Sequence, residues 1–251
     1  AAVSKGVQII RYGIDSLADI KAEACQFDIG LRADVKTPLG SVLVESPLIG
    51  RFNLINLLAV IGVAVAKGDS LENLNEIKNI GSVLGRMEVV KTAGLATVVI
   101  DYAHTPDALK NALEAIRAHC RGQVCVVFGC GGDRDVGKRS EMAAISEELA
   151  DKVIVTDDNP RFEDASKIID DILVGFKSVN EVTVIHSRAE AISRALRDAN
   201  KHDLILVAGK GHETWQEVKG ERIFFSDINE VNKCIETMKT TSRKKVEGER
   251  Q

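Results

Sequence analysis

The chain has 251 residues, of which 45% are apolar, 28% charged and 4% aromatic, and its formal net charge is -4. These proportions describe an ordinary globular protein; they leave no basic footprint for nucleic acid and too few rings to stack bases. The longest apolar stretch, Leu54 to Ala66, is too short and too interrupted to span a bilayer, so no membrane insertion is expected.

In the first third, Phe27, Ile29, Leu31, Ala33 and Val35 alternate with mostly polar residues, the period of a half-buried strand. Lys36-Thr37-Pro38-Leu39-Gly40 turns the chain into a second short strand, Ser41 to Glu45. Gly50-Arg51-Phe52-Asn53-Leu54-Ile55-Asn56 then opens a helix rich in Ala, Leu and Val, which Gly68 is placed to end; a short helix follows around Leu71 to Ile80. Gly81 to Gly85 interrupts the helical period and marks a domain boundary. The expected organisation is a unit over residues 1–84, a second over 85–239, and a charged tail over 240–251 that reads as disordered.

From Met87 onward the pattern is strand, polar loop, helix, repeated. Thr97 to Ile100, Val124 to Phe128, Val153 to Val155 and Leu204 to Ala208 read as buried parallel strands, with Val182 to Ile185 as another. Helices are expected at Pro106 to Cys120, Arg139 to Ala150, Asp164 to Phe176, Ser187 to Asn200 and Asp227 to Met238, the first with Thr105 as N-cap and Pro106 at N1. Trp215 to Val218 and Arg222 to Phe225 read as a hairpin on the sheet edge. The fold class is therefore α/β, an open, mostly parallel sheet. The five cysteines form no Cys-x-x-Cys pair and read as small thiols in a reducing compartment, and no metal-ligand spacing or Ser-His-Asp order emerges.

Four clusters of polar and glycine residues follow the parallel strands, and ligands of such sheets bind beyond the carboxyl ends of the strands. Gly129-Cys130-Gly131-Gly132-Asp133-Arg134-Asp135 runs on into Gly137-Lys138-Arg139, which approaches a phosphate loop but puts Arg139 where a hydroxyl belongs and two aspartates where phosphates would sit. Arg134 and Asp135 better suit a zwitterion, the plainer reading being a tight turn with internal ion pairs. Asp158-Asn159-Pro160-Arg161 offers a carboxylate, an amide and a guanidinium within one turn, enough to hold the end of an amino acid, or simply to start a helix. Gly209-Lys210-Gly211-His212-Glu213 permits close backbone approach and adds a second carboxylate, with His212 either structural or a contact. Asp101-Tyr102-Ala103-His104-Thr105-Pro106 leads from a strand end into a helix N-terminus, where Asp101 needs a partner to leave a buried strand ionised.

Together these clusters resemble the Mur ligase family of peptidoglycan synthesis, from about Val7 to about Met238, and within it the diaminopimelate-adding branch, whose signature stands here as Asp158-Asn159-Pro160-Arg161. The resemblance implies that residues 1–84 are the tail of a central P-loop ATPase-type α/β domain and residues 85–239 a Rossmann-like C-terminal domain. It implies that Arg134 and Arg161 take the distal carboxylate of meso-diaminopimelate while Asp158 and Glu213 take its ammonium, with Asn159, Pro160 and Gly209 completing the contact. Asn53, Asn56, Arg86 and Asp101 would serve ATP, and Asp101, His104 and Arg86 would lie at the reacting centre. The implied chemistry is ATP-dependent amide-bond formation on UDP-MurNAc-L-Ala-D-Glu through an acyl phosphate, with Mg²⁺ and in the cytoplasm.

The family's phosphate loop, UDP-binding domain and magnesium-organising lysine have no counterpart in this sequence, and no metal ligand is assigned to it. The chain therefore reads as the C-terminal half of such a ligase, its native start upstream of Ala1, and is expected not to ligate alone. Two other readings stay open: a non-catalytic amino-acid- or nucleotide-binding module with this fold, and a related ligase of a different substrate class, such as a folate- or cyanophycin-type enzyme.

Overall fold

The structure is a computed structural model that describes residues 7, 9–14, 17–28 and 30–248. The chain divides into two compact units, Ala1–Ser82 and Val83–Gln251, two residues ahead of the boundary read from the glycines.

The first unit is a four-stranded sheet, β1 (Tyr12–Ile14), β2 (Ile20–Asp28), β3 (Gly30–Thr37) and β4 (Gly40–Ser46), in that spatial order. Helix α1 (Arg51–Ala66), the four-residue α2 (Leu71–Leu74) and a 3₁₀ turn (Asn75–Asn79) follow. The alternating run expected as one strand is two: β2 and β3 pair antiparallel around Asp28 and Gly30, and Ile29 lies outside the described residues. Gly30 explains the break, since its φ of +120 belongs to glycine and a Cβ there would meet the Ser46 carbonyl at 2.9 Å. Ala33, Val35, Val42 and Val44 face Leu54, Leu58 and Ile61 of α1 to make the core. Gly68, at φ +83, stands just past the α1 C-cap, Lys67, in the left-handed conformation that ends a helix.

The second unit carries a six-stranded sheet built from β5 (Glu88–Val90), β6 (Thr97–Asp101), β7 (Val124–Phe128), β8 (Lys152–Val155), β9 (Val182–Val184) and β10 (Leu204–Ala208), in the order β5-β6-β10-β7-β8-β9. All neighbours are parallel except the edge strand β5. The three central strands are buried on both faces, which is why they read as unbroken apolar runs. Helices α3 (Pro106–His119), α4 (Gly137–Leu149), α5 (Ala165–Leu173), α6 (Arg188–Asp198) and α7 (Asp227–Gly248) complete the unit. Thr105, Asp164 and Ser187 cap α3, α5 and α6 by accepting from backbone N–H groups of the first turn.

Two expectations are corrected. The hairpin, β11 (Trp215–Val218) and β12 (Glu221–Phe224), forms its own two-stranded sheet instead of extending the edge of the large one. Its outer bonds go to the loop after β8, where Arg161 bridges Val218. The tail is helical through Gly248 where disorder over 240–251 was expected, because Lys, Arg, Glu and Thr without a proline continue the last helix; residues 249–251 lie outside the described ones. Among the described residues no helix is long and apolar enough to cross a membrane, and Cys120, Cys125, Cys130 and Cys234 are free thiols. Burial pushes the Cys125 and Cys130 thiols up to about 12.

Candidate functional site

A cavity of about 370 Å³ opens beyond the carboxyl ends of β6, β7, β8 and β10. All four polar clusters line it: Tyr102, His104 and Thr105; Gly131, Arg134 and Asp135; Asp158, Asn159 and Arg161; Gly209 and Glu213. The strand order makes this possible, because β10 inserts between β6 and β7 and brings the last cluster beside the first. A backbone bond from the Gly209 N–H to the Asp101 carbonyl, 3.1 Å, ties the two strand ends together.

The anionic wall is built around Lys210. Its ammonium is wholly buried and lies 3.0 Å from Asn159 Oδ1, 3.1 Å from Glu213 Oε2 and 3.6 Å from Asp158 Oδ1. Asn159 Nδ2 donates to Glu213 Oε2 at 3.0 Å, and Asn159 Oδ1 also accepts from the Glu217 N–H at 3.0 Å. The amide therefore holds the two loops together, and its side chain is already engaged on both ends. Burial pushes the Asp158 carboxyl up, against the pull of the Arg188 and Lys210 charges. Gly209 leaves the space for that carboxylate, since a Cβ there would stand 2.6 Å from Asp158 Oδ2. Its own N–H is spent on Asp101, so only its carbonyl remains for a ligand.

The cationic wall faces it. Arg161 Nη1 donates to the Gly132 carbonyl at 2.7 Å and Nε lies 3.7 Å from Glu217 Oε2, leaving Nη2 for a ligand. The residue is held at φ +53, unusual for any side chain but glycine, by backbone bonds between its N–H and the Glu217 carbonyl and between its carbonyl and the Lys219 N–H. Gly131 passes under Arg161, whose Nη1 would be 2.8 Å from a Cβ there. Arg134 is exposed and makes no hydrogen bond or ion pair among the described residues. Arg139, at the failed hydroxyl position of the phosphate-loop reading, is wholly buried and pairs with Glu163 at 2.9 Å and Asp171 at 2.8 Å. That pairing ties α4, beneath the glycine-rich loop, to Glu163 and to Asp171 of α5; it is not an ion pair internal to the turn. Pro160 does not line the cavity; its carbonyl accepts from the Glu163 N–H.

Of the residues read as catalytic, His104 lines the cavity, whereas Asp101 and Arg86 do not. Asp101 Oδ2 accepts from the Met87 N–H at 2.8 Å; burial raises its carboxyl, and that bond, others from Ala103 and Tyr102, and the Arg86 charge oppose the rise. Arg86 lies over the Tyr102 ring, 4.5 Å from its centroid, a cation–π contact that keeps an exposed guanidinium in place. His104 packs edge-on against the same ring and its Nδ1 meets the Tyr102 carbonyl at 2.8 Å. In the first unit, Asn53 Nδ2 donates to the Ile49 carbonyl and Asn56 Nδ2 to Asn53 Oδ1.

Lys138 and Lys210 were missed as functional residues. Lys138 lines the cavity and donates to the His104 carbonyl at 3.0 Å. Lys210 stood in view, a lysine between two glycines directly after a fully apolar strand, a place where a charge needs a partner.

Fold and site together define an open parallel α/β domain whose strand-end cavity sets carboxylates against guanidinium groups. The family model described as "Mur ligase, glutamate ligase domain" matches residues 85–211, and the chain belongs to the Mur ligase family. It is 46% identical over 231 residues to the UDP-N-acetylmuramoyl-L-alanyl-D-glutamate--2,6-diaminopimelate ligase of Pseudomonas aeruginosa, covering 91% of this chain and 47% of that protein. A solved structure of a ligase of the same name is similar with a TM-score of 0.74 at 37% identity, over 92% of this chain and 48% of that one. The MurF ligase of Thermotoga maritima, solved in complex with ADP, shares the fold at a TM-score of 0.62 and 17% identity, over 91% of this chain and 48% of that one. The chain spans about half the length of the curated relatives it matches.

Proposed function

We propose that this chain supplies the amino-acid-binding part of an ATP-dependent ligase that adds meso-diaminopimelate to UDP-MurNAc-L-Ala-D-Glu in the cytoplasm. The observation that carries the reading is the convergence of Arg134 and Arg161 with Asp158 and Glu213 on one cavity from loops after three different strands. Diaminopimelate differs from lysine by a carboxylate beside its distal amine. A fork of guanidinium donors for that carboxylate and a pair of carboxylates for the ammonium match it group for group. The similarity to the Pseudomonas aeruginosa ligase supports the same substrate.

In the proposed reaction the terminal carboxyl of the UDP-linked peptide takes the terminal phosphoryl group of ATP, leaving ADP. The amine of the incoming amino acid attacks the resulting acyl phosphate, forming the amide bond as inorganic phosphate departs and the amine loses a proton. The work of this chain is to hold that amino acid. Asp158 and Glu213 bind and orient its distal ammonium, while Arg161 Nη2 and Arg134 receive the neighbouring carboxylate, so that the proximal amine is the group left to react. Arg86, exposed, held on the Tyr102 ring and rich in donors, fits a phosphate of the nucleotide. Asp101 has its carboxylate on the Met87 N–H and fits the task of fixing Arg86 more than that of touching a nucleotide. Asn56 retains a free amide carbonyl for a base, whereas Asn53 is bonded at both ends of its amide. Among the described residues no group of three or more His, Cys, Asp or Glu is placed to hold a metal ion.

Calorimetric titration of the chain with meso-diaminopimelate and with L-lysine tests the reading. The expected result is a preference for diaminopimelate of at least about tenfold, the scale of a lost hydrogen bond to a charged group, since lysine would leave the guanidinium groups of Arg161 and Arg134 without a carboxylate. In Arg161→Ala the preference should vanish. Equal affinity for the two amino acids in the unaltered chain would sink the assignment and favour a ligase of another substrate class.

A further inference from the structure

Lys210 is the one ammonium among the described residues that is wholly buried at the site; three acceptors surround it, Asn159 and Glu213 within hydrogen-bond distance and Asp158 as an ion pair at 3.6 Å. Two of those acceptors belong to the loop after β8 and the third to the loop after β10 that carries Lys210 itself. Enclosed by these oxygens, Lys210 does not itself line the cavity. Its stem is enclosed, and a fixed charge so placed orders whatever surrounds it.

We propose that Lys210 is the positioning residue of the cavity: it clamps the two loops so that Asp158 and Glu213 face the ligand together, with one negative charge in excess. This rests on the reading of the site given above. Two carboxylates around one ammonium leave a single unbalanced charge, the complement of one incoming ammonium group. Arg188 and Asp227 behind them cancel each other, their side chains being 2.7 Å apart and both wholly buried. The groups that face Asp158 are therefore Arg188 from α6, Asp227 from α7, Lys210 and Glu213 from the loop after β10, and Arg161 across the cavity. Without the lysine, the buried carboxylate of Asp158 and the half-buried one of Glu213 would oppose each other with no charge between them. One would then take up a proton and cease to hold a cation.

The variant Lys210→Met keeps the stem and removes the charge. Far-UV circular dichroism checks that it folds, and carboxyl-carbon NMR follows Asp158 in the ligand-free chain. The expected result is that Asp158 titrates at higher pH in the variant than in the unaltered protein. The affinity for meso-diaminopimelate should fall at least about tenfold, and fall further as the pH is lowered from about 8 to about 6, because ammonium binding must then displace a proton. A structural loss alone would weaken binding equally at every pH. A folded variant with unchanged Asp158 titration would overturn the proposal. Should the variant not fold, the Nζ protons of Lys210 in the unaltered protein decide: slow solvent exchange supports the clamp, and rapid exchange refutes it. If the unaltered chain binds neither diaminopimelate nor lysine, the substrate reading fails, while the Asp158 titration still judges Lys210.

Discussion

At the scale of single residues, the second unit spends its buried charges in pairs. Arg188 gives Nε and Nη2 to Asp227 at 2.7 and 2.8 Å and shares Nη2 with the Ala208 carbonyl at 2.9 Å, while Nη1 has no hydrogen-bond partner among the described residues. The pair joins the start of α6 to the start of α7 directly beneath the end of β10, where Gly209 begins the site. Removing one member of a buried pair strands the other, at a cost of roughly 3–5 kcal/mol. Arg188→Met should therefore lower the urea unfolding free energy by about that much, whereas the double change Arg188→Met with Asp227→Leu should recover most of it. If the two variants prove equally unstable, the pair is not what holds these helix ends. The sequence placed neither partner, since they are 39 residues apart and only the sheet brings them together.

At the scale of elements, glycines decide how closely the loops meet. Gly85 and Gly211 interlock: a Cβ on Gly85 would stand 2.0 Å from the His212 nitrogen, and one on Gly211 would stand 2.6 Å from the Gly85 carbonyl and 2.8 Å from Tyr102 Cβ. Gly211 also has φ +53, so alanine there meets both strain and collision. Gly211→Ala should cost at least about 1 kcal/mol in chemical unfolding and displace the Tyr102 ring that carries Arg86, visible as shifted Tyr102 resonances. Unchanged resonances in a folded variant would show that the loop gives way elsewhere. The sequence marked both glycines, one as a boundary and one as a loop residue, yet nothing in it revealed that they touch. The hairpin teaches the same lesson. Its two strands, joined through Lys219-Gly220-Glu221, were legible in the sequence, but its docking partner, the strained Arg161, was not.

Across the whole second unit, carboxylates are shifted in both directions. Glu163 is held low chiefly by the Asp133 N–H and also by Arg139, and Glu147 by the Lys177 and Ser178 N–H groups. A carboxyl lowered in the folded state stabilises above its ordinary value of 4.5 and loses that contribution as the pH falls through its folded value. Burial raises Asp101, Asp157 and Asp158 above 3.8, so these destabilise near neutrality and are relieved as the pH falls through their raised values. The urea midpoint of the unit should thus hold or rise between about pH 7 and about pH 5, and drop only below about pH 4. A flat midpoint over that range would mean that the buried aspartates are better compensated than their surroundings indicate, and a steady decline from neutrality would contradict both sets of shifts.

What the sequence determined by itself is the set of elements and the chemistry they carry. Apolar runs too continuous for exposed strands, capping residues at the helix starts, and four polar clusters at strand ends specify an open parallel sheet with its working edge, because these signals are local and periodic. What only the tertiary structure decided is who meets whom. The insertion of β10 between β6 and β7, the enclosure of Lys210 by side chains from two loops, and the commitment of Asn159 and Asp101 to backbone and neighbouring groups all arise from contacts between distant segments. Such contacts are set by how layers pack, and packing leaves no period in the chain from which to read them.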